Sequence, residues 1–591
     1  MALTSAQLEK QKKEAEELLF AGPETLGFAK ALFFGHFHQN LIFPYPELNS
    51  EQKQIVETAR AQVQKFADEK IDARQIDKLA DIPRSVIDGL AELGVLGMTA
   101  PKEFGGREFK QQAYCKIMEI LGGHCASTAV FVNAHHSIGI RALLLFGTKE
   151  QQARWLPDLV SGKKLAAFAL TEPNAGSDAA NVQTTATPTD DGTGYVLNGQ
   201  KRYITNAAIA QVLTVMARTP VPGKPNESRI TAFLVTPDMP GFEVVEARAE
   251  KMGIRGTATG KLRFTNMRVP KENVLGQVGK GLRVALTVLD FGRTTFGASC
   301  TGAAKVCVEA MTKHAKQRVQ FEQTLSEFEL VKKKIAFAAA HTFAMEAMTQ
   351  ICAAFIDQGA EDYMLETAIL KVFSTEHLWT IVFDCMQIFG GQSYFCNEPY
   401  ERWMRDARIN TIGEGANEVL KSFIAVVGCR GPGMQLDAMR KNMIKRPWVG
   451  LTDGMSFVGS QIRDRVTRLD IPMQSYALRN VARELGYRVK KLGQALPFVF
   501  LRAGTEAKFL VSQYNHERLA DIAMDLYASS CVLSRLDYLL SRNDSDAAQM
   551  EAGKYFLMLA FDRIDQNFVN LKQNHDAQTT RTADAVIQSF K

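Results

Sequence analysis

Between Leu165 and Thr265 the hydrophobic pattern changes from the period of helices to that of strands, so a uniformly helical fold is excluded. YVLNGQKRYIT, VLTVMAR, ITAFLVT, FEVVEA and KLRFTNM are short, apolar and punctuated by Pro, Gly and Asn, as paired strands are. Asn198-Gly199 predicts a hairpin turn, because both central positions of such a turn need positive φ. A block of this kind between helical regions predicts an inserted barrel-like or sandwich domain.

The flanks read as helices. From Ser50, where NSEQKQ has the composition of a helix start, apolar residues recur three and four apart over Ile55–Phe66, Val86–Leu93 and Tyr114–Ile120. After Gly281, helices are expected over 281–318, 326–357, 362–388 and 415–428, with breaks at Gly390-Gly391 and Pro399. The longest exceed ordinary globular helices, which predicts an antiparallel bundle. Ahead of the first domain lie a helical stretch and an aromatic run, LGFAKALFFGHFHQNLIFPYP, closed by two prolines. Beyond Gly428, GCRGPGMQL reads as a linker into further helices. The expected fold class is α+β and predominantly α: an arm (1–49), an N-terminal helical domain (50–164), a middle β-domain (165–280), a C-terminal helical bundle (281–428) and an additional helical domain (429–591).

A chain of 591 residues exceeds what one core covers, and 46% apolar content supplies several. The net charge of +6 is spread among both signs, which argues against nucleic acid as the main partner. No uncharged apolar run is long enough for a membrane span. The N-terminus mixes Glu and Lys, unlike a signal or transit peptide; a cytoplasmic or mitochondrial-matrix location is expected. Nine scattered cysteines with no C-x-x-C pair read as reduced thiols, and no metal is expected. G-x-G-x-x-G, P-loop, H-E-x-x-H and G-x-S-x-G motifs are absent.

Four stretches could carry chemistry. In INTIGEGANEVL, Glu414 stands between two glycines, where a carboxylate could be offered to a flat ligand or could simply favour the following helix dipole. In FALTEPNAGSD, Thr171, Asn174, Gly176, Ser177 and Asp178 could bind a polar ligand or form an Asx-type turn. Gly390-Gly391 ends a helix where a planar or phosphate-bearing ligand could approach. MRKNMIKRPWVGL, with Arg440, Lys441, Lys445, Arg446 and Trp448, suits an anionic membrane surface, a solvated face or a dimer contact. Adjacent His135 and His136 cannot share a helix face and read as core or ligand-lining, not metal-binding.

LTEPNAGSD, NGQKRYITN, KMGIRGTATG, QIFGGQSY, YERWMRDARI and IGEGANEVL, in this order, resemble the acyl-CoA dehydrogenase family, most closely its very-long-chain branch. The resemblance implies helical, β and four-helix-bundle domains around FAD, and acyl-CoA oxidised by proton removal at Cα with hydride loss from Cβ. It also implies an electron-transfer flavoprotein as acceptor, a homodimer and a peripheral membrane contact of the C-terminal extension. Glu414 matches the family's base. Phe168, Leu170, Thr171, Gly176, Ser177, Tyr203, Ile204 and Thr205 match its flavin contacts, with Tyr203 where Trp is usual. Arg318, Gln320, Phe321, Gln387, Gly390 and Gly391 match contacts to the adenine half of FAD, partly across a subunit boundary; Ala416 and Asn417 also match FAD contacts. Ser177, Asp290, Arg293, Gly413 and Gly415 match the substrate side. Gly413 replaces a usual aromatic residue, Ala416 a usual Thr and Glu322 a usual Gly, which implies a roomier pocket and weaker FAD retention. An acyl-CoA oxidase, or an assembly scaffold of the same fold, is the competing expectation.

Overall fold

The computed structural model describes residues 26–221, 223–445, 468–542 and 546–590. The helical reading of the first 25 residues, and Arg446 and Trp448 of the basic segment, lie outside the described residues, as do the side chains of Arg440, Lys441 and Lys445.

Eight strands form one mixed sheet: β1 (Ala166–Ala169), β2 (Thr185–Pro188), β3 (Gly194–Ile204), β4 (Val212–Val221), β5 (Lys224–Val235), β6 (Phe242–Glu246), β7 (Gly260–Pro270) and β8 (Val274–Leu275). The order is β6-β7-β3-β2-β4-β5-β8, with β1 beside β4. β1 and β2 run parallel to β4, and the other pairs are antiparallel. The two-residue period decides the layers. Val212 and Met216 of β4 face the N-terminal helices with Trp155, Leu156 and Leu159. Leu213, Val215 and Ala217 face the other way, sharing a core with Leu197 of β3 and Phe264 and Met267 of β7, so the sheet curls over itself.

The hairpin expected at Asn198-Gly199 is corrected: β3 runs straight through it. A register shift lies between Leu197 and Gly199 in the pairing with β7. The Asn198 side chain accepts from the Asn266 backbone N–H at 2.8 Å, and its amide donates to Asn266 Oδ1 at 3.2 Å. Gly199 takes φ +154° against Thr184, where a side chain would collide. The pair therefore builds a bulge instead of a turn.

The helices that position the site are α1 (Phe28–Phe33), α2 (Ser50–Lys70), α3 (Gln111–His124), α4 (Gly281–Gln317), α5 (Glu329–Asp357), α6 (Met364–Phe389), α7 (Tyr400–Arg408), α8 (Asn417–Lys445), α9 (Arg479–Ala503), α10 (Gln513–Ser541) and α11 (Ala547–Asn570). Asn49 caps α2 by accepting from the Gln52 N–H at 2.8 Å. α4, α5, α6 and α8 form the bundle, with the C-terminal helices α9 to α11 on the same core. The linker read at GCRGPGMQL is corrected to an unbroken part of α8. Its glycines serve packing: a Cβ at Gly428 or Gly431 would overlap the rings of Phe33 or Phe34. The arm is thereby locked onto the bundle, and Glu366 accepts from the Ala29 N–H of α1 at 2.7 Å.

Between the helical segments Ala126–Val132 and Arg141–Phe146, residues Asn133–Ile140 form a wider π-helical turn. The run Ala126–Phe146 is long and apolar enough to cross a membrane, but most of it is buried within the protein. Such π turns put polar side chains at sites that a regular helix would not reach.

Candidate active site

Glu414 is set where the chain passes from α7 to α8. Its φ is +59° and that of Gly415 is +101°, so the peptide leaves the helical path at the carboxylate. The left-handed form at a non-glycine residue costs about 1–2 kcal/mol, and Gly415 avoids a second such cost. The side chain lies against α4 at Gly292, where a Cβ would stand 2.9 Å from Glu414 Oε2. Oε1 accepts from Asn133 Nδ2 at 3.4 Å. Oε2 is buried and has no hydrogen-bond partner. Burial pushes the carboxyl above its ordinary pKa, against the pull of Arg293 and Lys371. A desolvated carboxylate with one free oxygen is suited to take a proton.

Asn133 comes from the π-helical turn. Its Oδ1 accepts from Thr295 Oγ1, which also bonds Ser137 Oγ at 3.0 Å, and Ser137 meets the Tyr114 hydroxyl at 3.2 Å. The amide facing Glu414 is thus held by buried polar groups.

Lys371, inside α6, is fully buried. Its ammonium donates to the Gly415 carbonyl at 2.7 Å and to Asn417 Oδ1 at 2.8 Å. Thr375 Oγ1 also meets Asn417, which caps the same loop. Burial lowers the lysine to about 8, partly offset by Glu414.

A cavity of about 710 Å³, counting its open mouth, begins at Asn133 and Phe296. Cys300, Val306, Leu378 and Trp403 form apolar walls further along. From Phe296 to Cys307 the α4 wall extends for about 16 Å at the helical rise.

The residues expected around a flavin fall into two sets. Phe168 and Ile204 are buried in the sheet core, while Leu170, Thr171, Gly176, Ser177, Tyr203 and Thr205 surround the loop that follows β1. The Arg202 N–H donates to the Thr171 carbonyl at 2.9 Å, which ties the loop to β3. The hydroxyls of Thr171, Ser177 and Thr205 have no hydrogen-bond partner among the described residues. Nothing stands within 4 Å of a Cβ built on Gly176, Gly390 or Gly391. Open glycine backbone and free hydroxyls fit a large polar cofactor with a planar ring, such as FAD.

Arg318, Gln320, Phe321, Gln387, Gly390 and Gly391 form a separate, exposed set, with Phe321 88% exposed. Gly292 and Arg318 are about 39 Å apart along α4, so this set is not brought to Glu414 within one chain. Ala416 and Asn417 do adjoin Glu414; Asn417 is buried and Ala416 partly so. Asp290 and Arg293 are buried and paired at 3.1 Å, with Thr367 donating to Asp290 at 2.9 Å; burial lifts Asp290 to about 6. No atom beyond the Ile409 carbonyl, at 3.7 Å, meets a Cβ built on Gly413, so the space left by the missing aromatic residue is open.

Sequence reasoning missed Lys371, Asn133, Gly292 and the buried Glu172–Lys201 pair at 2.6 Å. A lysine within the apolar run AILKVF was the signal available for Lys371. His135 and His136 are core residues: His135 accepts from the Ala166 N–H at 3.0 Å, and His136 Nε2 accepts from the Thr99 N–H at 3.1 Å. Among the described residues no group of three or more His, Cys, Asp or Glu could hold a metal.

The fold and site define a helical flavoprotein in which a buried carboxylate is held by Asn133, a residue of the wall of an adjoining cavity. Residues 49–163, 167–267 and 279–428 match the N-terminal, middle and C-terminal domains of acyl-CoA dehydrogenases, and 476–590 match the ACAD9/ACADV C-terminal domain. The very long-chain specific acyl-CoA dehydrogenase of Homo sapiens mitochondria is 36% identical over 533 residues, covering 89% of this chain and 81% of that protein. An acyl-CoA dehydrogenase from Bacillus anthracis, solved with FAD, superposes with a TM-score of 0.78 at 27% identity, covering 94% of each chain. Butyryl-CoA dehydrogenase of Megasphaera elsdenii superposes at 0.59 with 33% identity, covering 64% of this chain and 97% of that one. The chain belongs to the acyl-CoA dehydrogenase family of FAD-dependent oxidoreductases.

Proposed function

We propose that the chain oxidises the Cα–Cβ bond of long-chain acyl-CoA to the trans-2-enoyl-CoA, with Glu414 as the base that takes the α-proton. The observation that carries this is the buried, unpartnered Glu414 Oε2, on a carboxylate whose other oxygen is held by Asn133 of the cavity wall. FAD, when bound, supplies the acceptor for the hydride lost from Cβ. The chain's own residues do the rest. Gly292 makes room for the carboxylate and Asn133 orients it by one oxygen, so the proton goes to the other, the buried and unpartnered Oε2. The Glu414 backbone N–H would polarise the thioester carbonyl. Phe168, Leu170, Thr171, Gly176, Ser177, Tyr203, Ile204 and Thr205 would hold the flavin, Ser177, Asp290 and Arg293 the CoA side, and Gly413 and Gly415 leave space at the reacting carbons.

The remote set Arg318, Gln320, Phe321, Gln387, Gly390 and Gly391 would serve the adenine half of FAD in a second copy, because α4 carries it too far from its own Glu414. The reading therefore includes a homodimer, which light scattering would measure. An electron-transfer flavoprotein is the proposed acceptor, and mitochondrial matrix or bacterial cytoplasm the proposed setting. A membrane contact of the basic segment is tested by vesicle flotation.

Mixing the anaerobic holoenzyme with palmitoyl-CoA tests the central reading. Wild type should bleach the flavin absorbance and Glu414→Gln should not. No bleaching in wild type favours the scaffold reading instead. Reoxidation by oxygen as fast as by the flavoprotein would make it an oxidase.

A further inference from the structure

We propose that Lys371 is the positioning residue for Glu414: its ammonium fixes the loop that carries the carboxylate and supplies the positive charge that favours its ionised form. The proposal rests on the reading of Glu414 as base.

Lys371 is an expensive residue at this place. Ile369, Leu370, Val372 and Phe373 around it are all buried, and Lys371 itself is fully enclosed. Taking an ammonium out of water costs several kcal/mol unless it is well compensated. Lys201, the other fully buried lysine among the described residues, has Glu172 at 2.6 Å. Lys371 has no carboxylate within ion-pair distance among the described residues; its short contacts are two neutral oxygens, the Gly415 carbonyl and Asn417 Oδ1.

Those two atoms flank the bend. Gly415, at φ +101°, has no side chain to restrain it, and holding its carbonyl restrains its ψ. Glu414, one residue earlier, is thereby held in its left-handed conformation. Asn417 is fixed from the other side by Thr375 at 3.0 Å, so the first turn of α8 cannot swing away. An unanchored Gly415 would let the carboxylate leave its place against Gly292.

The charge acts alongside the geometry. The groups facing Lys371 are Glu414 from the loop, Arg293 and Cys300 from α4, and Glu376 from α6 itself. Glu376 is committed elsewhere, to Lys421 at 3.2 Å. Arg293 exerts the larger pull on Glu414 although it is paired with Asp290, and Lys371, with no carboxylate of its own among the described residues, adds to that pull.

The test compares Lys371→Met, Lys371→Gln and Lys371→Arg in the holoenzyme, by the rate of flavin reduction with palmitoyl-CoA across pH. Lys371→Met should lower the limiting rate about tenfold and move the acid limb upward by about one pH unit, as loss of a nearby buried charge requires. KM should change less than about twofold. Lys371→Gln, which can still donate to the Gly415 carbonyl, should move the limb as far with a smaller loss of rate. Lys371→Arg should keep the limb at its wild-type position.

An acid limb unmoved in both neutral variants, or moved equally by arginine, overturns the proposal and leaves Lys371 a packing residue. Loss of bound flavin from both neutral variants also overturns it, because Lys371 would then act by holding Asn417 for the cofactor and not by positioning Glu414. If Glu414→Gln remains active, the reading of the base has failed instead.

Discussion

Lys201 and Lys371 are both buried, both anchor a loop of the site, and burial brings both to about 8, yet they do different work. Lys201 closes a neutral unit. It bonds Glu172 at 2.6 Å and the Leu170 carbonyl at 3.1 Å, while Glu172 also accepts from the Gln183 and Thr184 N–H groups. Burial would raise the Glu172 carboxyl, but the Lys201 ammonium and the hydrogen bonds from Lys201, Thr184 and Gln183 together outweigh it and hold it below its ordinary value. Lys371 meets only neutral oxygens, and its charge is left to act on Glu414. A matched pair builds a rigid loop; an unmatched cation builds a loop and tunes its neighbour.

Breaking each contact separates the two. Lys201→Met should have the largest effect, about 3–5 kcal/mol of stability by denaturant unfolding, because Glu172 is left buried and charged. Adding Glu172→Gln should recover part of it: the charge is gone and the amide oxygen still accepts one of the two backbone N–H groups, while the amide nitrogen faces the other. Lys371→Met should cost about 1–3 kcal/mol, for a Gly415 carbonyl that loses this donor and an Asn417 Oδ1 left with Thr375 alone, and adding Glu414→Gln should not repair those contacts. If both pairs are rescued alike, the distinction is wrong.

Glu414→Gln alone sharpens the contrast through pH. The native carboxyl sits above its unfolded value, so the native state binds the extra proton between the two values. Its stabilising effect is present at low pH and lost as pH rises through the native value. Above that point ionised Glu414 is a burden, and Glu414→Gln should be more stable than wild type by about 1 kcal/mol in the apoprotein. Its advantage should vanish as pH falls below the native value. The smallest effect is expected away from both lysines. Phe321 and Glu322 take φ +53° and +64° at the tip of a short hairpin, so Glu322→Gly should stabilise by about 0.5 kcal/mol.

That hairpin gives the departure from the family's usual glycine a physical meaning the sequence did not state. Local signals elsewhere were legible to the extent that they were local. The carboxylate between glycines pointed to Glu414, and alternation of apolar residues located the sheet. Asn198-Gly199 and Gly428–Gly433 misled because composition does not say what lies opposite. Asn198 met Asn266, and the glycines met Phe33 and Phe34, so a turn and a linker became a bulge and a helix. Lys371 and Asn133 escaped notice for the same reason: each matters through atoms distant in the chain, 44 and 281 residues away.

The account depends on proton removal by Glu414, and exchange at the α-carbon reads it without the oxidation step. A 3-thia-acyl-CoA offers α-hydrogens but has sulfur in place of the β-carbon. In heavy water the wild-type holoenzyme should replace those hydrogens with deuterium, and Glu414→Gln should do so about a hundredfold or more slowly, the scale of a lost general base. Lys371→Met should fall between them, and Lys201→Met with Glu172→Gln should stay near wild type. Undiminished exchange in Glu414→Gln would contradict the account.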